Sequence, residues 1–480
     1  MNMKVAVSFL LLVGYVGARA DITWSGDVVI PENADVTCQD HSGVTSLSVG
    51  AGATVRFNTA AAHAFPITGS GTIVKEGDAE WTMVTRIDDF TGDYEIASGV
   101  VFSAVTNAFG KQDKARKVSV KKGATLCITA VTGGIPLRQV HIAGDGAPGR
   151  KGALEAPAAS TTGNFLDYLY LDDDATLYTP KGGLFFVQRE LNLSGYRLTI
   201  AGTGQPTLLG CTISQNGGEI YVKGDENAKP TLYLRSWAHN NPTFNIPSSL
   251  SPFVMSGFST ISIWDGVMPI QSSLFVSGTN NVLSHSGNNK SIHGYVTNHA
   301  NWAGPIVFTN ETGMAHLEVY NGLDAETHGP CMICVSGPVS GQGTLATRIW
   351  RRDARVAILN GDNSYVGGTY INNYGAGGST LLGYPGSIPY ENYSSVTASY
   401  GYVDLAVGDD HARWDLDSAL KFAANATFLN SCKPRFSNDF TTNGLGPVKF
   451  EKYGGKEQQS TIHHQPLCLT RYTKCPYSIH

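Results

Sequence analysis

Three consecutive aspartates form the most obvious acidic cluster of this chain, in the segment Leu171-Asp-Asp-Asp-Ala175. Successive residues of a β-strand point to opposite faces, so we expect Asp172 and Asp174 on one face and Asp173 on the other. Two carboxylates on one exposed face are typical of enzymes that cleave polysaccharides by acid and base catalysis. The alternative is a polar turn ahead of the strand that follows.

A second acidic cluster lies nearer the C-terminus. It contains four carboxylates that could bind a hard cation: Asp409, Asp410, Asp415 and Asp417. The spacing lacks the central glycine and the terminal glutamate of a calcium-binding loop, so the alternative is a solvated acidic loop or helix start. We expect neither a metal nor a cofactor.

Aromatic residues in the middle of the chain alternate with asparagines and could form a platform for sugar rings. The candidates are Trp237, Trp264, Tyr295 and Trp302. The alternative is that these rings fill the core or cap loops. Trp350, with Arg351, Arg352 and Arg355, could bind an anionic glycan, or could form a charged edge that blocks strand pairing.

The N-terminus has the order of a secretory signal peptide: Lys4, an apolar run from Val5 to Val16, and the small-residue segment Ala18-Arg-Ala20. We predict that residues 1–20 are removed by cleavage after Ala20, which makes the protein secreted or exposed at the cell surface. No later apolar run is long enough for a transmembrane helix. The net charge of −5, without a long basic cluster, gives no reason to expect a nucleic-acid partner.

Composition and local pattern predict an all-β protein. Glycine accounts for 55 of the 480 residues, and charged residues for 15 % against a usual share of about 25 %. Short alternating strands end in glycine or charge throughout, and the best helical candidate is 412–424, where helix and strand fit equally. Eight cysteines without repeated spacing are expected to be buried thiols, or to form one local disulfide at Cys331 and Cys334.

A short unit of a turn residue followed by Ala-Thr and an apolar residue recurs four times. The copies are Gly52-Ala-Thr-Val55, Gly123-Ala-Thr-Leu126, Asp174-Ala-Thr-Leu177 and Asn425-Ala-Thr-Phe428. Glycine, aspartate and asparagine tolerate a left-handed turn, alanine fits a narrow interior, and threonine begins a strand. We therefore predict that these units are corners of a coiled sheet.

A longer pattern of glycines and strands also recurs. Its copies cover 67–127, 335–383 and an incomplete 436–457, all within a predicted repeat region of 21–457. Between 237 and 328 the rhythm weakens, which indicates either continued β structure with longer loops or a small β insert. The remaining residues, 458–480, show no strand pattern and are predicted to be a tail outside the fold.

The long pattern resembles the autotransporter-associated β-strand repeat of bacterial secreted and surface proteins. The resemblance is carried by Gly69-Ser-Gly-Thr-Ile-Val-Lys-Glu-Gly77, Trp81-Thr-Met83, Phe90-Thr-Gly92 and Gly123-Ala-Thr-Leu126. It implies a right-handed parallel β-helix, a solenoid with no catalytic residues in the repeat itself.

These observations lead to three expectations for function. The first is an exported, non-catalytic protein that acts in adhesion or envelope structure, with glycans or other surface proteins as partners. The second is a polysaccharide-degrading lyase or hydrolase on the same scaffold. The third is a glycan-binding module.

Overall fold

The computed structural model describes residues 21–58, 62–129, 135–156, 164–203, 206–209, 211–214, 217–234, 251–263, 269–286, 299–321, 331–350, 354–374, 378–406, 414, 416–437 and 448–449. The expected signal peptide (1–20) and the tail (458–480) lie outside these ranges, as does almost all of 436–457.

Short β-strands make up most of the described chain. In the first half they are β1 (Asp21–Ile30), β2 (Asp35–Val49), β3 (Thr54–Phe57), β4 (Ala62–His63), β5 (Ile67–Gly69), β6 (Thr72–Lys75), β7 (Glu80–Met83), β8 (Asp93–Ile96), β9 (Gly99–Ser103), β10 (Lys117–Val120), β11 (Ala124–Ile128), β12 (Ile135–Gly144), β13 (Leu154–Glu155), β14 (Asn164–Thr179), β15 (Phe185–Asn192), β16 (Arg197–Gly202), β17 (Pro206–Leu209), β18 (Thr212–Ser214), β19 (Glu219–Lys223) and β20 (Thr231–Leu234).

The second half continues in the same way. Its strands are β21 (Phe253–Ser256), β22 (Thr260–Ile263), β23 (Leu274–Ser277), β24 (Asn281–Ser286), β25 (His299–Trp302), β26 (Ile306–Phe308), β27 (Met314–Asn321), β28 (Cys331–Val335), β29 (Val339–Gly341), β30 (Thr344–Ile349), β31 (Ala354–Ile358), β32 (Ser364–Tyr365), β33 (Thr369–Asn373), β34 (Ser379–Leu382), β35 (Val396–Ser399), β36 (Tyr402–Ala406), β37 (Thr427–Leu429), β38 (Lys433–Ser437) and β39 (Val448–Lys449). The helices of the described residues are two 3-10 turns, Pro385–Ser387 and Tyr390–Ser395, and α1 (Leu416–Asn425).

The strands stack as successive coils of a parallel β-helix, which confirms the predicted solenoid. Ile73 of β6 pairs with Tyr94 of β8, and Tyr94 pairs in turn with Val118 of β10, all in parallel register. Thr91 donates a hydrogen bond to the carbonyl of Gly69, 22 residues earlier, which gives the length of one coil. The structural unit is therefore one coil, and the long repeat at 67–127 contains several.

The described strand pairings form four ladders, which we call faces I to IV. Face I contains β3, β6, β8, β10, β12, parts of β14 and β15, and β18. Face II runs from β4 through β7, β9, β11, β13, β14, β16, β19, β21, β23, β26 and β29 to β32. Face III contains β17, β20, β22, β24, β27, β30, β33, β35 and β37. Face IV contains β25, β28, β31, β34, β36 and β38.

The interior is filled by apolar side chains that stack in register from coil to coil. On face III, Ile261 pairs with Leu283, and Leu283 with Leu317. All three are essentially buried, and each contributes about 1.5–3 kcal/mol through removal of its apolar surface from water. The alternation of buried and exposed residues along each strand follows from the two-residue period of the pleat.

The short Ala-Thr units occupy corners, but their turn residues differ. Gly52 and Gly123 take positive φ values of 69° and 84°, as predicted. Asp174 and Asn425 are absent from the left-handed residues of the described chain, because Asp174 lies within β14 and Asn425 ends α1. The alanines that follow the four turn residues are all buried: Ala53, Ala124, Ala175 and Ala426.

The region of weak sequence rhythm continues the coil wherever it is described. Strand β21 pairs with β23, and β23 with β26, in the same parallel register as the coils before them. Its coils differ in length, because Leu274 pairs with Phe253, 21 residues earlier, and with Ile306, 32 residues later. The described residues of this region therefore continue the parallel coil, with connections of different lengths.

The expected helix near 412–424 and the expected buried thiols can both be compared with the structure. Residues 416–425 form α1, which packs Phe422 and Ala419 into the core beside Trp414. Cys38, Cys127, Cys211 and Cys432 are buried thiols.

In the described ranges no helix is both long and apolar enough to cross a membrane.

Candidate functional site

The corner of β14 positions the first two candidate carboxylates. Oδ1 of Asp172 lies 2.8 Å from Nδ1 of His141, on the preceding coil. Asp174 instead accepts a hydrogen bond from the backbone N–H of Arg197, on the following coil, at 2.8 Å. The two carboxylates are both exposed, but they serve different partners on opposite sides of β14.

The aspartate between them has a third partner. Asp173 lies 3.5 Å from Nζ of Lys122, and its carboxylate also accepts the backbone N–H of Asp174. Both side chains of this ion pair are solvated, so the pair contributes little stability. The acidic run therefore connects β14 to neighbouring coils, and only Asp172 contacts a basic ring.

His141 is the centre of a polar cluster on the outer surface of face I. Its ring stacks on Tyr170, with centroids 5.0 Å apart and an interplanar angle of 12°. Its second nitrogen, Nε2, lies 3.1 Å from Oε1 of Gln139. Asp172 and Gln139 contact both ring nitrogens, so a substrate would have to displace Gln139 to reach Nε2 of His141.

A tyrosine and an ion pair extend this cluster. Burial, followed by a hydrogen bond to Glu190, raises the pKa of Tyr170 to about 12, so its phenol stays protonated. Glu190 also lies 3.5 Å from Nζ of Lys114, and that ammonium lies 4.5 Å above the ring of Tyr168. We refer to Gln139, His141, Tyr170, Asp172 and Glu190 as the His141 cluster. It lies on an open strand surface, where each polar group already has a protein partner.

The aromatic candidates fall into two groups. Trp237, Trp264 and Tyr295 lie outside the described residues. Trp302 is fully buried in the core, where it packs edge-on against Phe253 with ring centroids 5.6 Å apart. Trp302 therefore offers no face to a sugar, and the interpretation of this residue as an exposed platform is wrong.

The acidic candidates for a metal site are mostly undescribed. Asp409, Asp410 and Asp415 lie outside the described residues. Asp417 is exposed in the first turn of α1, where a carboxylate stabilises the helix N-terminus. Within the described part of the chain, no group of three or more metal-binding side chains is found.

Sequence reasoning singled out Trp350 but missed that it belongs to an exposed row of aromatic rings on face III. Trp350, Tyr374 and Tyr400 directly follow β30, β33 and β35, three strands that pair in sequence. The rings of Trp350 and Tyr374 stack with centroids 4.9 Å apart, and those of Tyr374 and Tyr400 lie 5.8 Å apart. We refer to these three residues as the aromatic ladder. Its signal in the sequence is an aromatic residue placed directly after the strand in successive coils.

Comparison with known proteins adds no relative. A scan against protein-family models and searches of curated proteins and of solved structures found no match to this chain. Any proposal for its function therefore depends on its own residues.

Proposed function

We propose that this chain is an exported, non-catalytic β-helical protein of the cell surface or extracellular matrix, which acts through adhesion or as a part of the envelope. The N-terminal segment has the order of a signal peptide, and the glycine and strand pattern resembles the autotransporter-associated repeat. Such repeats build an extended scaffold, and their function depends on the surfaces that the scaffold displays.

One observation carries this proposal: the outer polar groups of the His141 cluster are bonded to one another. Asp172 and Gln139 contact the two ring nitrogens of His141. The carboxylate of Glu190 interacts with both Tyr170 and Lys114. A catalytic site needs groups that are free to exchange protons with a substrate. Polar side chains that bond neighbouring coils to one another are better suited to a rigid binding surface than to catalysis.

The test combines export with binding and turnover. We expect the full chain, produced in an exporting bacterial host, to appear outside the cytoplasm with Asp21 as its first residue, read by mass spectrometry. The purified mature protein should adhere to wells coated with extracellular polysaccharides or serum proteins, and should not shorten any polysaccharide. A protein that stays in the cytoplasm with residues 1–20 attached would contradict the proposal.

A polysaccharide-cleaving enzyme is the second candidate, favoured by the contact of Asp172 with His141. It requires that a substrate displaces Gln139 and frees Nε2 of the imidazole. Release of reducing ends or of unsaturated uronate products by the wild type, abolished in His141→Ala and in Asp172→Asn but kept in Asp174→Asn, would establish it. No product from any polysaccharide would exclude it.

A further inference from the structure

The exposed large side chains of this protein are concentrated at one end of the solenoid. Ten large hydrophobic or aromatic side chains are strongly exposed in the described residues, and seven of them lie between Trp350 and Leu429. Five of those seven are aromatic: Trp350, Tyr370, Tyr374, Tyr390 and Tyr400. A soluble protein rarely exposes such a cluster unless it contacts something.

The rings of the aromatic ladder lie against one another but remain partly exposed. Tyr374 lies between two rings, yet it remains 48 % exposed, against 44 % for Trp350 and 41 % for Tyr400. A ring held face to face on both sides would lose most of its surface. Each ring of the ladder therefore offers part of its surface to solvent.

Arg351 and Arg352, which follow Trp350, lie outside the described residues, and the described charges beside that ring form an ion pair. Nη1 of Arg348 lies 3.3 Å from Oε2 of Glu318, and the guanidinium carbon lies 6.0 Å from the Trp350 ring. These two opposite charges are next to each other in the register of face III. The described surface therefore offers aromatic rings and an internally neutralised ion pair, and not an excess charge that would select an ionic ligand.

An amide between two of the exposed rings still has hydrogen-bonding capacity. Asn372 lies on β33 between Tyr370 and Tyr374, in register with Arg348 and Ser399. Its Oδ1 is buried and has no hydrogen-bond partner among the described residues. A buried acceptor without a donor is unfavourable, and rotation of this amide toward the surface would let a ligand hydroxyl satisfy it.

We propose that the aromatic ladder, together with Asn372, binds a neutral linear polysaccharide that lies along the solenoid axis. Sugar rings present apolar C–H faces that stack on aromatic rings, and their hydroxyls supply donors for an amide oxygen. The rings recur at the coil spacing, 4.9 and 5.8 Å, so an extended polymer contacts several of them, one after another. This inference rests on the proposed adhesive function and names the ligand class for one surface.

The experiment is affinity electrophoresis of the purified mature chain in gels that contain hydroxyethyl cellulose, xylan or laminarin, with polygalacturonate and alginate as anionic probes. We expect retardation by at least one neutral polymer, unchanged when the sodium chloride concentration is raised tenfold. Tyr374→Ala should weaken binding roughly two- to tenfold, as expected for one lost stacking contact. Trp350→Ala should act in the same direction.

Two further variants separate stacking from other effects. Tyr374→Phe keeps the ring and should bind nearly as well as the wild type. Tyr196→Ala removes an exposed tyrosine outside the ladder, between β15 and β16, and should leave binding unchanged. Circular dichroism and thermal melts verify that each variant is folded.

Several outcomes would overturn this inference. They are retardation by none of the neutral polymers, equal retardation of the wild type and of folded Tyr374→Ala, and binding only to anionic polymers with loss in high salt. Adhesion to protein-coated wells and export are measured separately, and they test the proposed function and not the glycan inference. A protein that is exported and adheres to protein alone would refute the glycan inference but not the proposed function, while depolymerisation of the gel polymer would refute the non-catalytic function itself.

Discussion

Arg435 on β38 donates two hydrogen bonds to the carboxylate of Asp404, which lies one coil earlier on β36. The Nη2 to Oδ2 distance is 3.0 Å, and Nε contacts the other oxygen. Asp404 is only 1 % exposed, whereas the guanidinium also covers the ring of Tyr402, 3.7 Å from its centroid. The pair therefore joins the last two coils of face IV through a carboxylate that water does not reach.

Removal of Arg435 should be much more costly than removal of the whole pair. We expect Arg435→Met to lower the free energy of unfolding by about 3–5 kcal/mol, because it leaves the charge of Asp404 buried without a partner. The double variant Asp404→Leu/Arg435→Met should recover most of that loss. Urea denaturation followed by circular dichroism measures each difference.

The solvated pair Arg86 and Asp88 provides a matched control. Their side chains are both more than half exposed, with Nε and Oδ2 3.3 Å apart. Arg86→Met should change stability by less than about 1 kcal/mol. Equal losses in Arg86→Met and Arg435→Met would show that burial does not decide the contribution of these ion pairs.

Trp302 should affect stability and not sugar binding. Trp302→Ala removes a fully buried indole from the core, so we expect a loss of about 3–5 kcal/mol in the free energy of unfolding. Trp302→Phe should be less harmful, since it keeps an aromatic ring beside Phe253 and removes an indole N–H that has no partner among the described residues. Thermal melts of both variants give the order.

The exposed Trp350 is the comparison for that result. Trp350→Ala should change the melting temperature little, because almost half of its side chain is already in water. A greater loss of stability in Trp350→Ala than in Trp302→Ala would contradict the placement of both rings.

Gly69 should tolerate a side chain much less well than Gly149, although both glycines have a left-handed backbone conformation. Both Gly69 and Gly149 have positive φ, 95° and 81°. A Cβ on Gly69 would lie 2.0 Å from the carbonyl oxygen of Val49 on the preceding coil, whereas one on Gly149 would meet nothing within 4 Å. We expect Gly149→Ala to cost about 1–2 kcal/mol and Gly69→Ala roughly 3 kcal/mol or more. Equal costs, measured by urea denaturation, would mean that coil contact is not the constraint.

The repeated corners explain how much of the fold could be predicted from the sequence. Gly52 and Gly123 take left-handed conformations, and the alanines after them are buried, because the local sequence determines a tight turn. The position of Asp174 could not be predicted in the same way. It lies within β14, and its carboxylate accepts a hydrogen bond from the backbone N–H of Arg197, a residue of the next coil.

The aromatic residues show why the candidate sites were harder to predict. Trp302 follows Asn301 and Trp350 precedes Arg351, so each has a polar neighbour in the sequence. Trp302 is nevertheless fully buried, whereas Trp350 is almost half exposed. Their positions depend on strand register, and coil length varies from 22 residues near Gly69 to 35 residues near Asn301. The ladder of Trp350, Tyr374 and Tyr400 therefore has no fixed sequence period, and it becomes visible only when the strands are aligned.

Buried thiols should make this protein less stable in alkali. Burial raises the pKa of Cys127 and of Cys432 from 9.0 to about 12. The same thiols ionise near 9 once the chain unfolds, so unfolding releases protons and the stabilisation is lost as pH rises from about 9 to 12. The free energy of unfolding should fall by at most about 1.4 kcal/mol per thiol for each pH unit in that window.

The variant Cys127→Ala/Cys432→Ala isolates this effect through a slope. Urea denaturation at pH 8, 9, 10 and 11 should give a shallower fall in the free energy of unfolding above pH 9 than in the wild type. Val118→Ala truncates another buried side chain, so it should lower stability at every pH while leaving the slope unchanged. If the double variant keeps the wild-type slope, these two thiols already ionise in the folded protein at the same pH as in the unfolded chain, which their burial should prevent.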